Sequence, residues 1–250
     1  MISLVKDAWH DIKYCMALLT RIPVELDENT LGQRRAAATW AFPVVGVMIA
    51  SLSVLVCYGA TLYLSPTIAV CLLLLTSIYL TGALHEDGLA DCADGFWGGR
   101  YRKKRLRIMK DSATGVYGTL ALILFVTLRA VCYFEIIGSG HLLALIPIIA
   151  TSRLWMTLAM GLVPSAKEDG IGHAVGKPDS VTMATASLLA ITVALIVSPM
   201  ALLACLAGGI GAALAADLAR KKIGGYTGDV LGAIQQMAEV TALIFFIALA

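Results

Sequence analysis

Long apolar stretches alternate with short polar segments along most of the chain. Seven of these stretches come close to the roughly 20 residues that a helix needs to cross a bilayer. They cover residues 37–60, 66–84, 115–137, 142–162, 181–198, 200–219 and 230–250. The first third of the last stretch carries Gln235, Gln236 and Glu239, which leaves open whether 230–250 spans fully or lines a cleft.

An amphipathic segment precedes the first apolar stretch. In residues 4–20, apolar side chains recur at helical spacing, while Lys6, Asp7, Asp11 and Lys13 fall on the opposite, wet side. This pattern is typical of a helix that lies in the plane of a membrane surface.

The composition also indicates a membrane protein. Of the 250 residues, 59% are hydrophobic and only 14% are charged, and the mean hydropathy is +0.83. A soluble domain of this length does not need so much apolar surface. We therefore predict an all-α fold, a polytopic membrane helix bundle of about seven transmembrane helices plus the N-terminal interfacial helix. We expect a single integral membrane domain over residues 1–250.

The basic residues predict the orientation. With the N-terminus inside, every Lys and Arg except Arg129 and Arg153 lies in the N-terminal arm or in an inward-facing loop. That asymmetry is what the positive-inside rule describes. We expect three polar loops to share the cytoplasmic face, namely 85–114, 163–180 and 220–229.

Four acidic residues, Glu86, Asp87, Asp91 and Asp94, lie close together in the first of these loops. If residues 85–94 are helical, the three aspartates fall at i, i+4 and i+7 on one face, where their charges repel. Mg²⁺ between them would turn this repulsion into a hard-oxygen site of the type that holds phosphates. The alternative is a solvated helix end with ordinary surface acids.

Seven cations follow between Arg100 and Lys110. Arginines and lysines beside a metal-bound diphosphate can take up its remaining negative charge and stabilise the leaving group. Two other interpretations remain open, because a basic run also anchors membrane topology and attracts anionic lipid headgroups.

A glycine-rich segment, Gly224-Gly225-Tyr226-Thr227-Gly228-Asp229, precedes the last apolar stretch. Glycines let the backbone approach a ligand closely, and the start of the following helix favours anions. Asp229 either caps that helix or binds a second metal.

Several single polar residues are further candidates for a functional or a structural role. Arg153 lies in mid-span, where an arginine is costly unless it faces an interior cavity, so we expect it to bind phosphate, with Glu239 as a candidate partner. Arg129 is expected to have a structural role with a partner elsewhere. His85 is either a general base or a helix cap, and Asp111 is either a substrate ligand or the N-cap of the third span.

The sequence resembles a known family at this point. His85-Glu86-Asp87-Gly88-Leu89-Ala90-Asp91, followed by Asp94-Gly95, is similar to the signature of the cobalamin synthases, the adenosylcobinamide-GDP ribazoletransferases. Further similar elements occur in the right order over essentially the whole chain. They are Arg21-Ile22-Pro23, Phe42-Pro43-Val44-Val45-Gly46, Met109-Lys110-Asp111-Ser112, Ser152-Arg153 and the segment from Gly224 to Ala233.

The resemblance implies a reaction and its partners. The ribose 3′-hydroxyl of α-ribazole, or of its 5′-phosphate, attacks the phosphorus bonded to cobinamide in adenosylcobinamide-GDP, and GMP leaves. The family is Mg²⁺-dependent and resides in the cytoplasmic (inner) membrane of prokaryotes. No nucleic acid is expected as a partner, and a homo-oligomer is left open.

Together, the residues and the resemblance give a hypothesis for the site. Glu86, Asp87, Asp91, Asp94 and Asp229 are the expected metal ligands, and Asp87, His85 and Asp91 the expected catalytic residues. The residues expected to bind substrate are Arg153, Lys110, Asp111, Arg100, Gly225 and Thr227.

Two other functions fit part of the pattern. The CDP-alcohol phosphotransferases also place aspartates at helical spacing beside glycine, but their usual motif has Ala-Arg where this chain has Ala90-Asp91. A secondary transporter would account for seven spans with charges inside them. Transporters, however, concentrate polar groups near the midplane and are built from paired halves, and this chain shows neither.

Overall fold

The computed structural model describes residues 2–26 and 34–250. In these two ranges the chain forms twelve α-helices, two short 3₁₀ turns and no β-strand. The helices are α1 (Ile2–Leu19), α2 (Arg35–Ala38), α3 (Phe42–Thr61), α4 (Pro66–Thr81), α5 (Leu84–Gly98), α6 (Arg102–Ile108), α7 (Val116–Gly138), α8 (Leu145–Leu162), α9 (Ile171–Val175), α10 (Ser180–Val197), α11 (Pro199–Ile223) and α12 (Gly228–Leu249). The predicted all-α class is confirmed.

Six helical segments of the described chain are long and apolar enough to cross a membrane. They are Arg35–Thr61, Val116–Gly138, Leu142–Leu162, Ser180–Val197, Pro199–Ile223 and Gly228–Leu249. α4, the predicted second span, has only 16 residues and meets the criterion only together with α5. The total is therefore six, or seven if that bent pair is one span, and the protein is a multi-pass membrane protein.

Two helices, α8 and α12, lie at the centre of the bundle. Both are mostly buried, and α12 packs against α5, α7, α8 and α11. α7 and α10, in contrast, expose large apolar side chains such as Leu124 and Ile196. Such surfaces are costly in water and are satisfied by lipid tails, so α7 and α10 form outer walls of the bundle.

The N-terminal helix α1 forms where the amphipathic pattern predicts it, and it packs against α2 and α3. One prediction for its polar side is wrong. Asp11 is buried. Its carboxylate accepts hydrogen bonds from Trp40 Nε1 at 2.9 Å and from Arg34 Nη2 at 3.1 Å, which offset the cost of burying the charge. The carboxylate thus joins α1 to the start of the first span.

A sharp bend between α4 and α5 sets the direction of the acidic segment. Gly82 follows the last residue of α4, Thr81, and caps the helix. Its φ of +62° is a left-handed conformation that glycine adopts without a steric penalty. Ala83 follows, also at positive φ (+59°), and α5 then leaves at 84° to α4. The acidic sequence is therefore helical, as the one-face argument for its aspartates assumed.

Candidate functional site

A cavity of about 230 Å³ lies where α5, the start of α12, the end of α1 and the loop before α9 meet. Its lining contains both polar and apolar side chains, which we refer to as its polar wall and its apolar wall. The polar wall includes His85, Asp87, Lys167 and Asp229, and the apolar wall includes Phe42, Met156, Met160 and Leu231. We call it the carboxylate cavity. A space with one apolar and one charged wall suits an amphiphilic organic ligand.

Gly88 brings the two acidic segments together. A Cβ atom added to Gly88 would lie 2.6 Å from the carbonyl oxygen of Asp229 and 2.9 Å from its Cα. Any larger residue would push the start of α12 away from α5. The glycine of the acidic motif therefore allows Asp229 to lie close to the aspartates of α5.

Three carboxylates remain available for chemistry at this junction. Asp87 is exposed, Asp91 and Asp229 are half-buried, and Asp91 lies in the electrostatic field of the other two. Neither Asp87 nor Asp91 has a side-chain hydrogen bond or ion pair to a described residue, and Lys167 is the cation that acts on Asp91. This concentration of unneutralised charge favours a cation or a proton.

The junction fits a metal ion in its donor chemistry but not in its present geometry. Over the two described ranges, no three His, Cys, Asp or Glu side chains are arranged to hold one. The donor chemistry of Asp87, Asp91 and Asp229 nevertheless suits Mg²⁺, which takes carboxylate oxygens together with substrate phosphates and water. Mg²⁺ binding by these three carboxylates therefore stays a prediction.

Asp94, the third aspartate of α5, points to the start of α7. Its Oδ2 accepts a hydrogen bond from the Gly115 backbone N–H at 2.7 Å, and its Oδ1 accepts one from Gly118 at 2.9 Å. A Cβ on either glycine would collide with this carboxylate. Asp94 thus satisfies backbone donors at a helix N-terminus, where negative charge is stabilised. This is a structural use of a residue that the sequence predicts as a metal ligand.

Glu86 points away from the carboxylate cavity into the bundle. Its Oε1 accepts hydrogen bonds from Arg129 Nη1 at 2.6 Å and from Gln236 Nε2 at 3.1 Å. Its Oε2 is buried and has no hydrogen-bond partner in the described part of the chain. A carboxylate held this way by an arginine fixes α5 against α7 and α12, so it cannot also face a metal at Asp87 without a rotation.

A buried ion cluster extends from Glu86 across the bundle. Arg129 Nε lies 3.0 Å from Glu239 Oε1, an ion pair without hydrogen-bond alignment, and Arg153 Nη1 lies 3.4 Å from Glu239 Oε2. Tyr133 and Gln235 donate further hydrogen bonds to Glu239. We call Glu86, Arg129, Arg153 and Glu239 the ion cluster. Its two positive and two negative charges balance, as buried charges require.

The ion cluster contains the partners predicted for Arg153 and Arg129. The pairing of Arg153 with Glu239 is confirmed, and so is a partner for Arg129 on other helices. Arg153 also donates to the Ile149 carbonyl at 2.7 Å. Phosphate binding by Arg153 stays a prediction, although its side chain lies in the bundle interior and does not line the carboxylate cavity.

His85 lies between the carboxylate cavity and the ion cluster. It lines the cavity, yet only 1% of its surface is exposed, and α12 packs directly on its backbone, since a Cβ on Gly232 would lie 3.1 Å from His85 Cα. Its Nε2 is buried and has no hydrogen-bond partner among the described residues. A neutral imidazole at a cavity wall has one ring nitrogen that can accept a proton or a hydrogen bond from a bound hydroxyl.

The glycine-rich segment is held by its neighbouring loop. The backbone of Tyr226 forms a short parallel bridge with the loop at Ser165, and a Cβ on Gly225 would collide with the Pro164 carbonyl. Thr227 is the N-cap of α12, since its Oγ1 accepts from the Val230 N–H at 3.3 Å. The same hydroxyl donates to Asp229 Oδ2 at 3.1 Å. Because Thr227 supplies the cap, Asp229 is free for another role.

The basic run divides into two groups. Arg102 donates to the carbonyls of Ile223 and Ala166, and Arg105 donates to that of Lys222, so both bind the C-terminal end of α11 and its surroundings. Arg100, in contrast, is exposed, and its side chain makes no hydrogen bond within the described ranges.

The remaining predicted substrate ligands lie on the surface. Lys110 Nζ donates to Asp169 Oδ2 at 2.9 Å, and this contact holds the pKa of the Asp169 carboxyl below its usual value. Asp111 accepts from the Ala113 N–H at 3.1 Å in a local turn and does not cap α7. The structure thus brings Asp87, Asp91, His85 and Asp229 together and leaves Lys110 at the edge of this group.

The loop before α9 contributes cavity residues that the sequence does not single out. Lys167 and His173 line the carboxylate cavity, and Lys167 is the cation that acts on Asp91. The segment Lys167-Glu168-Asp169-Gly170 is charged, but a loop without periodicity carries no information about where its side chains point. Gln235 and Gln236, one helical turn before Glu239, were the better signal for the ion cluster.

Known proteins resemble this chain over nearly its whole length. The family described as Cobalamin-5-phosphate synthase matches residues 11–247. An adenosylcobinamide-GDP ribazoletransferase of Bradyrhizobium diazoefficiens is 37% identical over 246 residues, covering 96% of this chain and 94% of that protein. Proteins of the same name from Mesorhizobium japonicum (37% identity, 94% and 91% covered) and Sinorhizobium medicae (36%, 96% and 96%) are similarly close.

No solved structure matches the chain. The sequence match, in contrast, runs from α1 to α12 and includes every segment that surrounds the carboxylate cavity. This chain therefore belongs to the cobalamin-5-phosphate synthase family.

Proposed function

We propose that this protein is an adenosylcobinamide-GDP ribazoletransferase, the activity for which its relatives are named. The observation that carries the proposal is the carboxylate cavity, in which an unpaired buried His85 and the carboxylates of Asp87 and Asp229 face one space. In the reaction, a ribose hydroxyl oxygen of the acceptor bonds to the phosphorus attached to cobinamide. The bond from that phosphorus to GMP breaks, and the hydroxyl proton passes to a base.

The cavity holds only part of the substrates. A volume of about 230 Å³ is smaller than most drug-sized ligand pockets. The apolar wall at Phe42, Met156 and Met160 suits the heteroaromatic base of α-ribazole, whose ribose then lies toward the polar wall. The corrin ring of the donor must remain outside, so its phosphates alone approach Asp87.

Asp87, Asp91 and Asp229 would hold Mg²⁺, which polarises a phosphoryl oxygen and offsets the charge of a leaving phosphate. The chain's own groups orient the acceptor. His85 can accept the hydrogen bond of the attacking hydroxyl at its unprotonated ring nitrogen and then take the proton. Because α12 packs against His85 on α5, only 1% of the His85 surface is exposed, which limits the access of bulk water to the imidazole.

The membrane setting is part of the proposal. We propose that the loops lining the cavity face the cytoplasm at the inner membrane, and the positive-inside distribution of Lys and Arg supports this orientation. Nucleotide substrates are then accessible from the cytoplasm. No observation favours a transporter. The four charged residues of the ion cluster pair with one another inside the bundle, and none of them lines the carboxylate cavity.

The decisive experiment measures GMP release from adenosylcobinamide-GDP and α-ribazole 5′-phosphate by protein purified in neutral detergent. We expect release that EDTA stops and Mg²⁺ restores. Asp87→Asn should lower kcat by about 100-fold or more, since even residues that only support a metal ligand contribute about 10–100-fold. The matched control is Asp217→Asn, which removes an exposed carboxylate that pairs with Lys221. Wild-type turnover by Asp87→Asn would refute the metal site, and absence of GMP release by the unaltered protein would refute the function.

A further inference from the structure

A second cavity, of about 510 Å³, lies beside the carboxylate cavity, and its wall is strongly cationic. Five of its side chains are positively charged, and one carboxylate is present. The charged residues are Lys103, Lys104, Arg107, Lys110, Lys167 and Asp169. We call this space the basic groove. Such an excess of one charge in a concave surface concentrates anions of the opposite sign.

Most of these cations have no structural task. Lys103, Lys104 and Arg107 make no side-chain hydrogen bond or ion pair to any residue in the described ranges, and neither does Lys167. Arg102 and Arg105, in the same short helix α6, are in contrast fully engaged with backbone carbonyls. Helix α6 therefore carries two kinds of cation, and only one kind supports the fold.

The unengaged cations also repel one another. Lys103 and Arg107 are four residues apart on α6, and Lys104 and Arg107 are three apart. Like charges at these spacings destabilise a helix. An anion bound between them would relieve the repulsion. Asp169, held by Lys110 at 2.9 Å, already shows that a carboxylate is stable at the edge of the groove.

The basic groove and the carboxylate cavity are neighbours, because Lys167 and Asp169 line both. A ligand that reaches past these two loop side chains would contact both spaces. The two spaces have opposite charge. A molecule with a reacting hydroxyl and a separate phosphate would therefore place the hydroxyl near Asp87 and the phosphate among the lysines.

We propose that the basic groove binds a phosphate monoester, the 5′-phosphate of the acceptor, while the acceptor ribose lies in the carboxylate cavity. The inference rests on the proposed function and deepens it, because it makes the groove the element that selects the phosphorylated acceptor. A monoester carries a charge of about −1.5 to −2 at neutral pH and three strong acceptor oxygens, which suits several lysines at once. The family description, which names a cobalamin 5-phosphate, agrees with an acceptor that keeps its phosphate.

The test compares two acceptors in neutral detergent, α-ribazole 5′-phosphate and unphosphorylated α-ribazole. In Lys103→Gln/Lys104→Gln, kcat/KM for the phosphorylated acceptor should fall about tenfold, as expected for the loss of charge-assisted hydrogen bonds. The value for the unphosphorylated acceptor should change little. Lys103→Arg/Lys104→Arg should restore most of the selectivity. Arg220→Gln/Lys221→Gln is the matched control, since it removes two exposed charges outside both cavities.

Three outcomes would overturn the inference. Unchanged selectivity means that the groove does not read the 5′-phosphate. An equal loss with both acceptors, together with a higher KM for adenosylcobinamide-GDP, means that the groove holds the nucleotide. An effect seen only in vesicles containing anionic phospholipid, and absent in neutral detergent, means that the groove holds a lipid headgroup phosphate.

A binding measurement separates this inference from the proposed function. Calorimetric titration with α-ribazole 5′-phosphate needs no turnover, and the lysine variant should bind about tenfold more weakly than the unaltered protein. If GMP release fails while this difference persists, the function is wrong and the phosphate site stands. If GMP is released but binding is equal in both proteins, the phosphate site is wrong. Thermal unfolding of each variant verifies that it is folded.

Discussion

Replacing Gly88 by alanine tests the contact on which the geometry of the site depends. The new Cβ would lie 2.6 Å from the Asp229 carbonyl oxygen, whereas ordinary contacts begin at 3.4 Å. Relieving the overlap requires a movement of about 0.8 Å between α5 and the start of α12. The obstacle is backbone of a capped helix, which cannot rotate away as a flexible side chain would.

Two energies of opposite sign then compete. Alanine in place of glycine inside a helix is worth about 0.5–1 kcal/mol, while overpacking costs about 1–3 kcal/mol. We expect a net loss of unfolding free energy of about 0–2.5 kcal/mol from these two terms. The effect on catalysis should be larger, because a misplacement of about 1 Å between reacting groups costs about 100-fold in rate.

The assay measures kcat for GMP release and the thermal midpoint in the same detergent. Gly59→Ala is the matched control, since Gly59 also lies within a helix, and no atom of residues 2–26 or 34–250 lies within 4 Å of a Cβ added there. It should retain wild-type kcat and unfold at the same temperature or slightly higher. If Gly88→Ala has wild-type kcat, Asp229 does not need its present position relative to α5, and its assignment to the site is wrong.

Two further predictions concern residues that the structure uses for packing. Glu239→Gln removes the carboxylate between Arg129 and Arg153, so the protein should lose about 3–5 kcal/mol of unfolding free energy. The control is Glu135→Gln, which changes an exposed residue. Equal thermal midpoints for the two variants would contradict the stabilising role of the ion cluster. Asp94→Ala removes two hydrogen bonds at the start of α7, so it should cost about 0.5–2 kcal/mol. The Mg²⁺ concentration for half-maximal GMP release should stay unchanged in Asp94→Ala, and a large increase would show that Asp94 is a metal ligand after all.

Much of the fold follows from periodicity alone. The apolar stretches predict the long helices to within a few residues at most ends, because a bilayer demands a fixed length of apolar helix. The second span is the exception. Residues 66–84 read as one apolar stretch, but Gly82 and Ala83 end α4 after 16 residues and turn the chain. A left-handed glycine followed by a strained alanine leaves no hydrophobicity signal.

The site was predicted less completely than the fold. Helical spacing correctly places Asp87 and Asp91 near each other, but it does not distinguish them from Asp94, which is engaged by the start of another helix. Glu86, one residue before Asp87, lies about 100° around the helix axis from it and points into the bundle. Which acids are structural depends on tertiary partners such as Arg129, and a single sequence does not reveal them.

The attachment of Glu86 to α7 and α12 also bears on how such a site can be moved or divided. The helix that presents the aspartates is anchored one residue earlier by an arginine that only a packed apolar interior keeps away from water. A soluble peptide or a grafted loop carrying residues 85–110 would hydrate that arginine's partner and lose the helix orientation. The active segment thus works as part of the embedded bundle, and a water-soluble version would have to replace the whole interior, not just cover its outer surface.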